Sequence, residues 1–277
     1  MPELPEVETV CLALSKILNN SRVSDVAIFR KDLRWNIKEN LETSLKEKIL
    51  KKPIRRGKYI LIPASKEHIL LIHLGMSGII KIITGEYNLS KHDHVKINIE
   101  TKENKFFSIV YNDPRRFGYV DFFHKSKIDN HFLLKKLGVE PLGNDFNILY
   151  FQKQIYKKSK CVKNFLMDQS IIAGIGNIYA SEILYRANIN PLRAVNNLNK
   201  EQLKSIINAT KYILKKSINV GGTTIRNHVQ PNGKIGYFAQ KLQVYGRKKH
   251  KCYKCNNLIT LINISNRSTY FCSNCQK

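Results

Sequence analysis

Acidic residues are scarce in this chain: 21 Asp and Glu stand against 47 Lys and Arg among 277 residues, a formal charge of +26. That imbalance suits a polyanionic partner, most simply nucleic acid. Lys, Asn and Ile are all abundant, as an AT-rich genome would produce, so charge alone supports nucleic-acid binding without establishing it. Long apolar runs are missing too. No stretch approaches the ~20 residues of a membrane span, and the N-terminus lacks the basic, apolar and small-residue order of a signal peptide. A soluble cytoplasmic protein with no membrane partner is the expectation. No internal repeat or low-complexity tract occurs. Cysteine is sparse outside one set: Cys11 and Cys161 stand alone, whereas Cys252, Cys255, Cys272 and Cys275 form C-x2-C-x16-C-x2-C.

In a cytosolic chain that paired set reads as a zinc site and not a disulfide framework. Each C-x2-C places two thiolates on one turn, and two turns complete a tetrahedral shell. Four thiolates leave no open position for water, so one structural Zn2+ is expected. Cys11 falls in the apolar stripe of the first helix and reads as a small buried hydrophobe; Cys161 also reads as structural.

The chain opens Met1-Pro2-Glu3-Leu4-Pro5-Glu6-Val7-Glu8. Removal of Met1 would leave Pro2 with a secondary α-amine. Such amines titrate near roughly 7.7–8.0, against about 10.4 for lysine, so a fraction is unprotonated at cellular pH. Amines of this kind attack aldehydic carbons to give Schiff bases. A secondary amine gives an iminium that cannot shed its charge by losing a proton, and Glu3 offers an adjacent carboxyl for proton transfer. The plain alternative is that Pro followed by acids is ordinary helix-start chemistry.

Two architectures follow one another. Residues 3–19 carry helical spacing, with Val7, Val10, Cys11, Leu14, Ile17 and Leu18 on one face. Short β-type runs then fill 22–124: Val23–Phe29, Tyr59–Ile62, Ile69–His73, Ile79–Ile83, Val95–Ile99, Phe106–Tyr111 and Tyr119–Phe123. Such a series suggests an antiparallel sandwich or barrel-like domain. After a polar break near Gly138–Asp145 the chain becomes helical. Short helices over Val162–Met167 and Ile178–Ala187 flank the turn Ala173-Gly174-Ile175-Gly176-Asn177, and a five-turn helix follows, stopped by Gly221-Gly222. Leu258–Ile264 and Ser268–Phe271 read as a hairpin between the two cysteine turns. The fold class is α+β: an N-terminal β-sandwich domain (1–138), a helical domain (139–228), and a C-terminal segment (229–277) whose zinc hairpin spans about 243–277.

Several loops carry unusual residues. Lys58, in Arg55-Arg56-Gly57-Lys58-Tyr59, sits on a basic turn where a general acid or phosphate ligand could stand; a solvated surface turn is the rival reading. His73-Leu74-Gly75-Met76-Ser77-Gly78 puts Met76 on a Gly-flanked tip, where an apolar side chain can wedge into DNA. Asp113-Pro114-Arg115-Arg116-Phe117-Gly118 pairs arginines with an aromatic that can stack. His92 and His94 would share a strand face and read as surface histidines, with a phosphate contact as the functional alternative. Arg267 lies at the tip of the zinc hairpin, where the metal would hold it rigidly toward a phosphate.

Taken together, these residues resemble the formamidopyrimidine-DNA glycosylase family. The resemblance runs end to end through PELPEVET, HLGMSG, KHDH, DPRRFG, AGIGNIYASEIL, GGTTI, GYFAQKLQVYGR and the four-Cys finger with RSTYFC. It implies a β-sandwich followed by a helix–two-turns–helix domain and a zinc finger, with DNA in the cleft between them. It also implies a bifunctional base-excision repair enzyme, a glycosylase and abasic-site lyase acting as a monomer on duplex DNA that contains oxidised purines or abasic sites.

By the same resemblance Pro2 is the nucleophile, Glu3 the general acid/base, Lys58 the proton donor in β-elimination, and Arg267 the residue of δ-elimination and phosphate clamping. His92, Arg115, Lys158, Lys163 and Asn177 correspond to DNA contacts. Met76, Arg115 and Phe117 match the trio that fills the gap left by a flipped base, with Arg115 facing the orphaned cytosine. Gly222–His228 resembles the loop covering that base. Asn227 stands where the family usually has Asp, and Ser181 where some members have an acid. Leu4 favours the purine-damage branch over an endonuclease VIII-like enzyme for oxidised pyrimidines. The remaining rivals are a catalytically silent damage-binding protein of the same fold and a zinc-ribbon RNA-binding protein.

Overall fold

The computed structural model describes residues 2–223 and 238–277. The chain divides into two compact units: Met1–Lys135 with Gly221–Tyr237, and Lys136–Val220 with Phe238–Lys277.

In the first unit, helix α1 (Leu4–Ser15) starts where the sequence places it but ends short of the 3–19 span, so Ile17 and Leu18 are buried beyond its end. Glu6 reaches back to the Glu3 N–H at 2.8 Å, satisfying a donor the helix itself leaves open. Its apolar stripe, Leu4, Val7, Val10, Cys11 and Leu14, is buried. Burial pushes the Cys11 thiol up to about 12, so this cysteine is an inert core residue. Strand β1 (Ser21–Ile28), the short helix α2 (Leu41–Leu45), and strands β2 (Ile49–Leu50), β3 (Ile54–Arg56), β4 (Tyr59–Ala64), β5 (His68–His73), β6 (Ile79–Ile83), β7 (Asp93–Glu100), β8 (Phe106–Asn112) and β9 (Tyr119–His124) follow. They pair antiparallel in the order β6-β8-β7-β1-β2-β4-β5-β9, with β3 on β4. The seven strands expected from the sequence are all present; β2, β3 and α2 are additions, too short for a periodic signal. One core collects α1, α2 and residues from both ends of this path, including Ile80 and Tyr111 at one end and Ile72 and Val120 at the other.

The second unit is built on α3 (Ile148–Ile155), α4 (Val162–Met167), α5 (Asn177–Arg186) and α6 (Lys200–Asn219). The helix α6 opens with a reciprocal capping box between Asn199 and Gln202, which fixes its start. Phe151 stacks on Phe165 with centroids 5.2 Å apart, joining α3 to α4. Strands β10 (Thr260–Ile264) and β11 (Arg267–Phe271) form the expected hairpin. Ser265 and Asn266 both have positive φ, the geometry of a two-residue type I′ turn.

Candidate active site and nucleic-acid interface

Pro2 and Glu3 are both buried at the head of α1. Glu6 is the brace beneath them. One of its carboxylate oxygens accepts from the Glu3 N–H, and the other accepts from the Thr223 N–H at 2.8 Å and the Thr223 hydroxyl at 2.6 Å. Gly222 passes so close, with φ +79°, that a Cβ there would press on the Glu6 carboxylate. With Met1 removed, the Pro2 amine and the adjacent Glu3 carboxyl, both buried, would be able to form a covalent adduct and move a proton beside it.

Lys58 follows Gly57, whose φ of +57° makes the β3–β4 turn tight. The lysine is 9% exposed, not the solvated surface cation of the plain alternative. Arg55 ties this turn to α1: its Nε lies 2.6 Å from the Glu8 carboxylate, and its Nη1 donates to the Gly57 carbonyl at 3.1 Å. The helix that begins after Glu3 and the turn that presents Lys58 are thus one assembly.

Sequence reading passed over His73. Its ring lies against Tyr59 with centroids 4.7 Å apart, and Nδ1 accepts from the Gly75 N–H at 3.2 Å. Burial, with Lys58 and Arg34 adding positive charge nearby, pulls its pKa down to about 4. His73 is therefore a neutral imidazole whose proton sits on Nε2, beside the buried lysine. The signal lay in register: His73 pairs directly with Tyr59, the residue after Lys58.

Met76 and Phe117, each 41% exposed, stand on two loops that are packed together. Gly75, at φ +60°, abuts the Phe117 carbonyl, leaving no space for a Cβ. Buried Asp113 organises the second loop. Its Oδ1 accepts from the Ser77 hydroxyl at 2.5 Å and the Arg115 N–H at 3.3 Å, and its Oδ2 from the Gly118 N–H at 2.9 Å and the Tyr111 hydroxyl at 3.2 Å. Arg115 itself is exposed, with its guanidinium 4.7 Å from the Phe117 ring centre. A hollow of about 560 Å³ beside this pair is also lined by Asp32, Leu33 and Arg34; none of the three was singled out, although Arg34 precedes the chain's one tryptophan, Trp35.

The His92/His94 expectation needs correcting. His94 is buried and its Nε2 lies 2.8 Å from the Asp113 carbonyl, while half-buried His92 accepts the Asp113 N–H on its own carbonyl at 3.0 Å. A register shift between Asp93 and Val95 turns the strand, so simple alternation fails there.

In the second unit Lys163 is fully buried, donating to the Thr269 hydroxyl at 2.6 Å and the Ser268 carbonyl at 3.2 Å. Asn177, the first residue of α5, donates to the same carbonyl at 2.9 Å, while its buried Oδ1 has no partner among the described residues. Both side chains therefore brace the β10–β11 hairpin, at whose turn Arg267 is exposed. Lys158 is half-buried, 5.8 Å from the Phe165 ring centre.

The four cysteines fit zinc. All four Sγ atoms lie within 4.8 Å of one another, with Cys252–Cys275 at 3.9 Å and Cys255–Cys272 at 3.5 Å. Zn–S bonds of about 2.3 Å in a tetrahedron require S···S edges of about 3.8 Å. The Lys254 N–H and the Tyr185 hydroxyl lie 3.4 Å and 3.2 Å from the Cys252 sulfur, the hydrogen bonding that a thiolate ligand needs.

Residues 1–120 match the formamidopyrimidine-DNA glycosylase N-terminal domain, 137–229 the H2TH domain of the same enzyme, and 249–277 the zinc finger found in FPG and IleRS. The chain belongs to the formamidopyrimidine-DNA glycosylase family. A relative from Haemophilus influenzae is 42% identical over 277 residues, covering 100% of this chain and 99% of the relative. Another, from Vesicomyosocius okutanii, is 41% identical over 276 residues with full coverage of both. Among solved structures, a Lactococcus lactis FPG variant bound to Fapy-dG-containing DNA superposes with a TM-score of 0.91 at 32% identity, covering both chains fully. The wild-type Lactococcus lactis enzyme with DNA containing an oxidised pyrimidine gives 0.90 at 31%, again over both chains. The four cysteines are the structural zinc site of this family's finger. Residues 224–228 of the expected lesion-covering loop, Asn227 included, and Met1 lie outside the described residues. No helix among the described residues is long and apolar enough to cross a membrane.

Proposed function

We propose that this chain removes oxidised purines, 8-oxoguanine and formamidopyrimidines, from duplex DNA and then cuts the strand, acting as a cytoplasmic monomer. The observation that carries this reading is the buried Pro2–Glu3 pair braced by Glu6, in a chain that matches a DNA glycosylase family from end to end.

The target carbon is unreachable inside the stack, so the nucleotide must be flipped out first. Pro2 nitrogen attacks C1′, the glycosidic bond breaks, and the base leaves with a proton. Glu3 supplies proton transfer as the C1′–O4′ bond opens, leaving a ring-opened iminium. That cation acidifies the C2′ proton; its loss expels the 3′ phosphate, with Lys58 as the proton-transfer group. A second elimination, with Arg267 at the phosphate, expels the 5′ phosphate. Met76, Arg115 and Phe117 occupy the vacated stack, and His92 and Lys158 contact the backbone. Lys163 and Asn177 act through the hairpin they hold, and zinc contributes folding energy to that hairpin without entering the chemistry.

Borohydride added during turnover of an 8-oxoguanine duplex should cross-link DNA to the N-terminal peptide through Pro2. Full activity with Met1 retained, or a cross-link only at a lysine, would overturn the assignment. The Lactococcus lactis complex with an oxidised pyrimidine makes that lesion class a second reading. A panel of both lesion types ranks the two, and purine excision should dominate.

A further inference from the structure

The second unit contains a hollow of about 660 Å³ that shares with the residues assigned above only Tyr185 and Lys254, both beside the zinc site. Its walls come from α5, α6, the stretch Phe238–Gln243 and Lys254 of the zinc finger. Four cations line it, Arg186, Lys216, Lys241 and Lys254, against one carboxylate, Glu182. That carboxylate is not open to a ligand. It is buried, and its two oxygens already accept the N–H groups of Gln243, Val244 and Tyr245, each at 2.9 Å.

Some arginines elsewhere in the chain close on carboxylates, Arg22 on Glu47 and Glu100, Arg30 and Arg116 on Asp32, Arg55 on Glu8, while Arg34, Arg115 and Arg247 lie over aromatic rings. Around this hollow no lysine or arginine has a carboxylate partner among the described residues. Aromatic faces lie against three of the four, and Lys254 also donates to the Asn188 side-chain oxygen at 2.8 Å. The Arg186 guanidinium lies 3.5 Å from the centre of the Tyr212 ring, with Lys216 5.5 Å from the same ring, and Lys254 sits 4.6 Å from the ring centre of Tyr185. Stacking fixes a guanidinium's plane while leaving its N–H edges available, the arrangement suited to bidentate contact with phosphate. Lysine drift across a solvated surface explains neither the arginine nor the two tyrosines.

We propose that this hollow binds a phosphate-bearing ligand of nucleotide size. Four cations offset by one carboxylate leave a local excess matched by a di- or triphosphate, and the volume falls within the range of small-molecule sites. The phosphates would lie among Arg186, Lys216 and Lys241, and the open face of the hollow would admit the rest of the ligand. The same phosphate chemistry could come from a free nucleotide or from a DNA backbone.

Isothermal titration of zinc-loaded, full-length protein with ADP, inorganic pyrophosphate and neutral adenosine tests it. ADP and pyrophosphate should bind and adenosine should not. The double substitution Arg186→Gln with Lys241→Gln should weaken binding about tenfold or more while leaving borohydride trapping on lesion DNA unchanged. If that variant does not fold by its melting curve, Tyr212→Leu, which keeps every charge but removes the stack, should still weaken binding several-fold. In the DNA arm, the salt dependence of undamaged-duplex binding is compared between wild type and variant. A slope reduced by about 0.9 for each lost contact, with no ADP binding, identifies backbone phosphate as the ligand. Equal behaviour of wild type and variant toward ADP, pyrophosphate and duplex would overturn the proposal.

Discussion

Replacing Asp113 with Asn tests whether base discrimination depends on a carboxylate that never touches DNA. Asp113 is fully buried and receives four donors, two on each oxygen. Asn keeps the shape but turns one acceptor oxygen into a donor facing a backbone N–H, while the hydroxyl beside it can turn and accept. Hydrogen bonds to a charged group contribute about 1.5–3 kcal/mol each, so losing one and weakening the other three should cost about 3–5 kcal/mol. At about 2–4 °C per kcal/mol for a chain portion of this size, melting should fall by about 6–20 °C. The decisive reading is kinetic. Arg115 N–H loses the carboxylate it shares with the Ser77 hydroxyl oxygen, 3.2 Å away, so single-turnover excision of 8-oxoguanine should fall more opposite cytosine than opposite adenine. One good base contact discriminates by about 1–3 kcal/mol, so the ratio should narrow by about tenfold, as it should in Arg115→Ala. The milder Ser77→Ala removes one donor and should narrow it less. A lowered melting temperature with an unchanged ratio in both Asp113→Asn and Ser77→Ala would refute the reasoning and leave the network as loop scaffolding.

Cys272→Ser should lose zinc and DNA affinity together, because metal binding is the finger's folding energy; Arg267→Ala should retain zinc by metal analysis yet lose affinity and strand cleavage, and normal nicking by chelated, zinc-free protein would contradict both. His73 predicts a pH dependence of stability. Its pKa is depressed to about 4 from the ordinary imidazole value of 6.5, so above about 6.5 neither state binds the proton and the fold incurs no penalty. As pH falls from about 6.5 to 4 the unfolded chain takes it up first, and stability should decline by about 3 kcal/mol. Denaturant titrations of His73→Gln across that window should show a flatter profile, and an identical slope in the variant would remove His73 as the cause.

How much of this was legible depended on the range of the interaction. The strands and the long helix announce themselves through periodicity, because Val95, Ile97 and Ile99, or Leu203, Ile206, Ile207 and Thr210, repeat within a few residues. Helix α3 was missed: Asn147, whose side chain accepts the Tyr150 N–H at 3.0 Å, is its start signal, but its eight residues are too few for a persuasive stripe. The cysteine spacing exposed the metal site because both ligand pairs are local. The contacts of Lys163 were hidden, since its partners lie 105 and 106 residues away and a lysine reads as surface until its neighbours are known. His94 misled for the opposite reason: strict alternation was assumed where the strand shifts register. His73 and Asp113 are ordinary residues in sequence, and tertiary neighbours alone give them their roles.

The abutment of Gly75 on Phe117 has an evolutionary consequence. Two loops some forty positions apart in the chain share one seam, with Ser77 reaching across to Asp113 and no volume left for a methyl group at Gly75. Neither loop can gain a residue, or change hand at its glycine, without displacing the other. Lesion context on this scaffold should therefore drift through substitutions at the exposed tips, Met76, Arg115 and Phe117, and seldom through insertions. A designer wishing to transplant the proposed opposite-base preference onto another member of the fold would have to move both loops as a single cassette, together with Tyr111 and Asp113 beneath them.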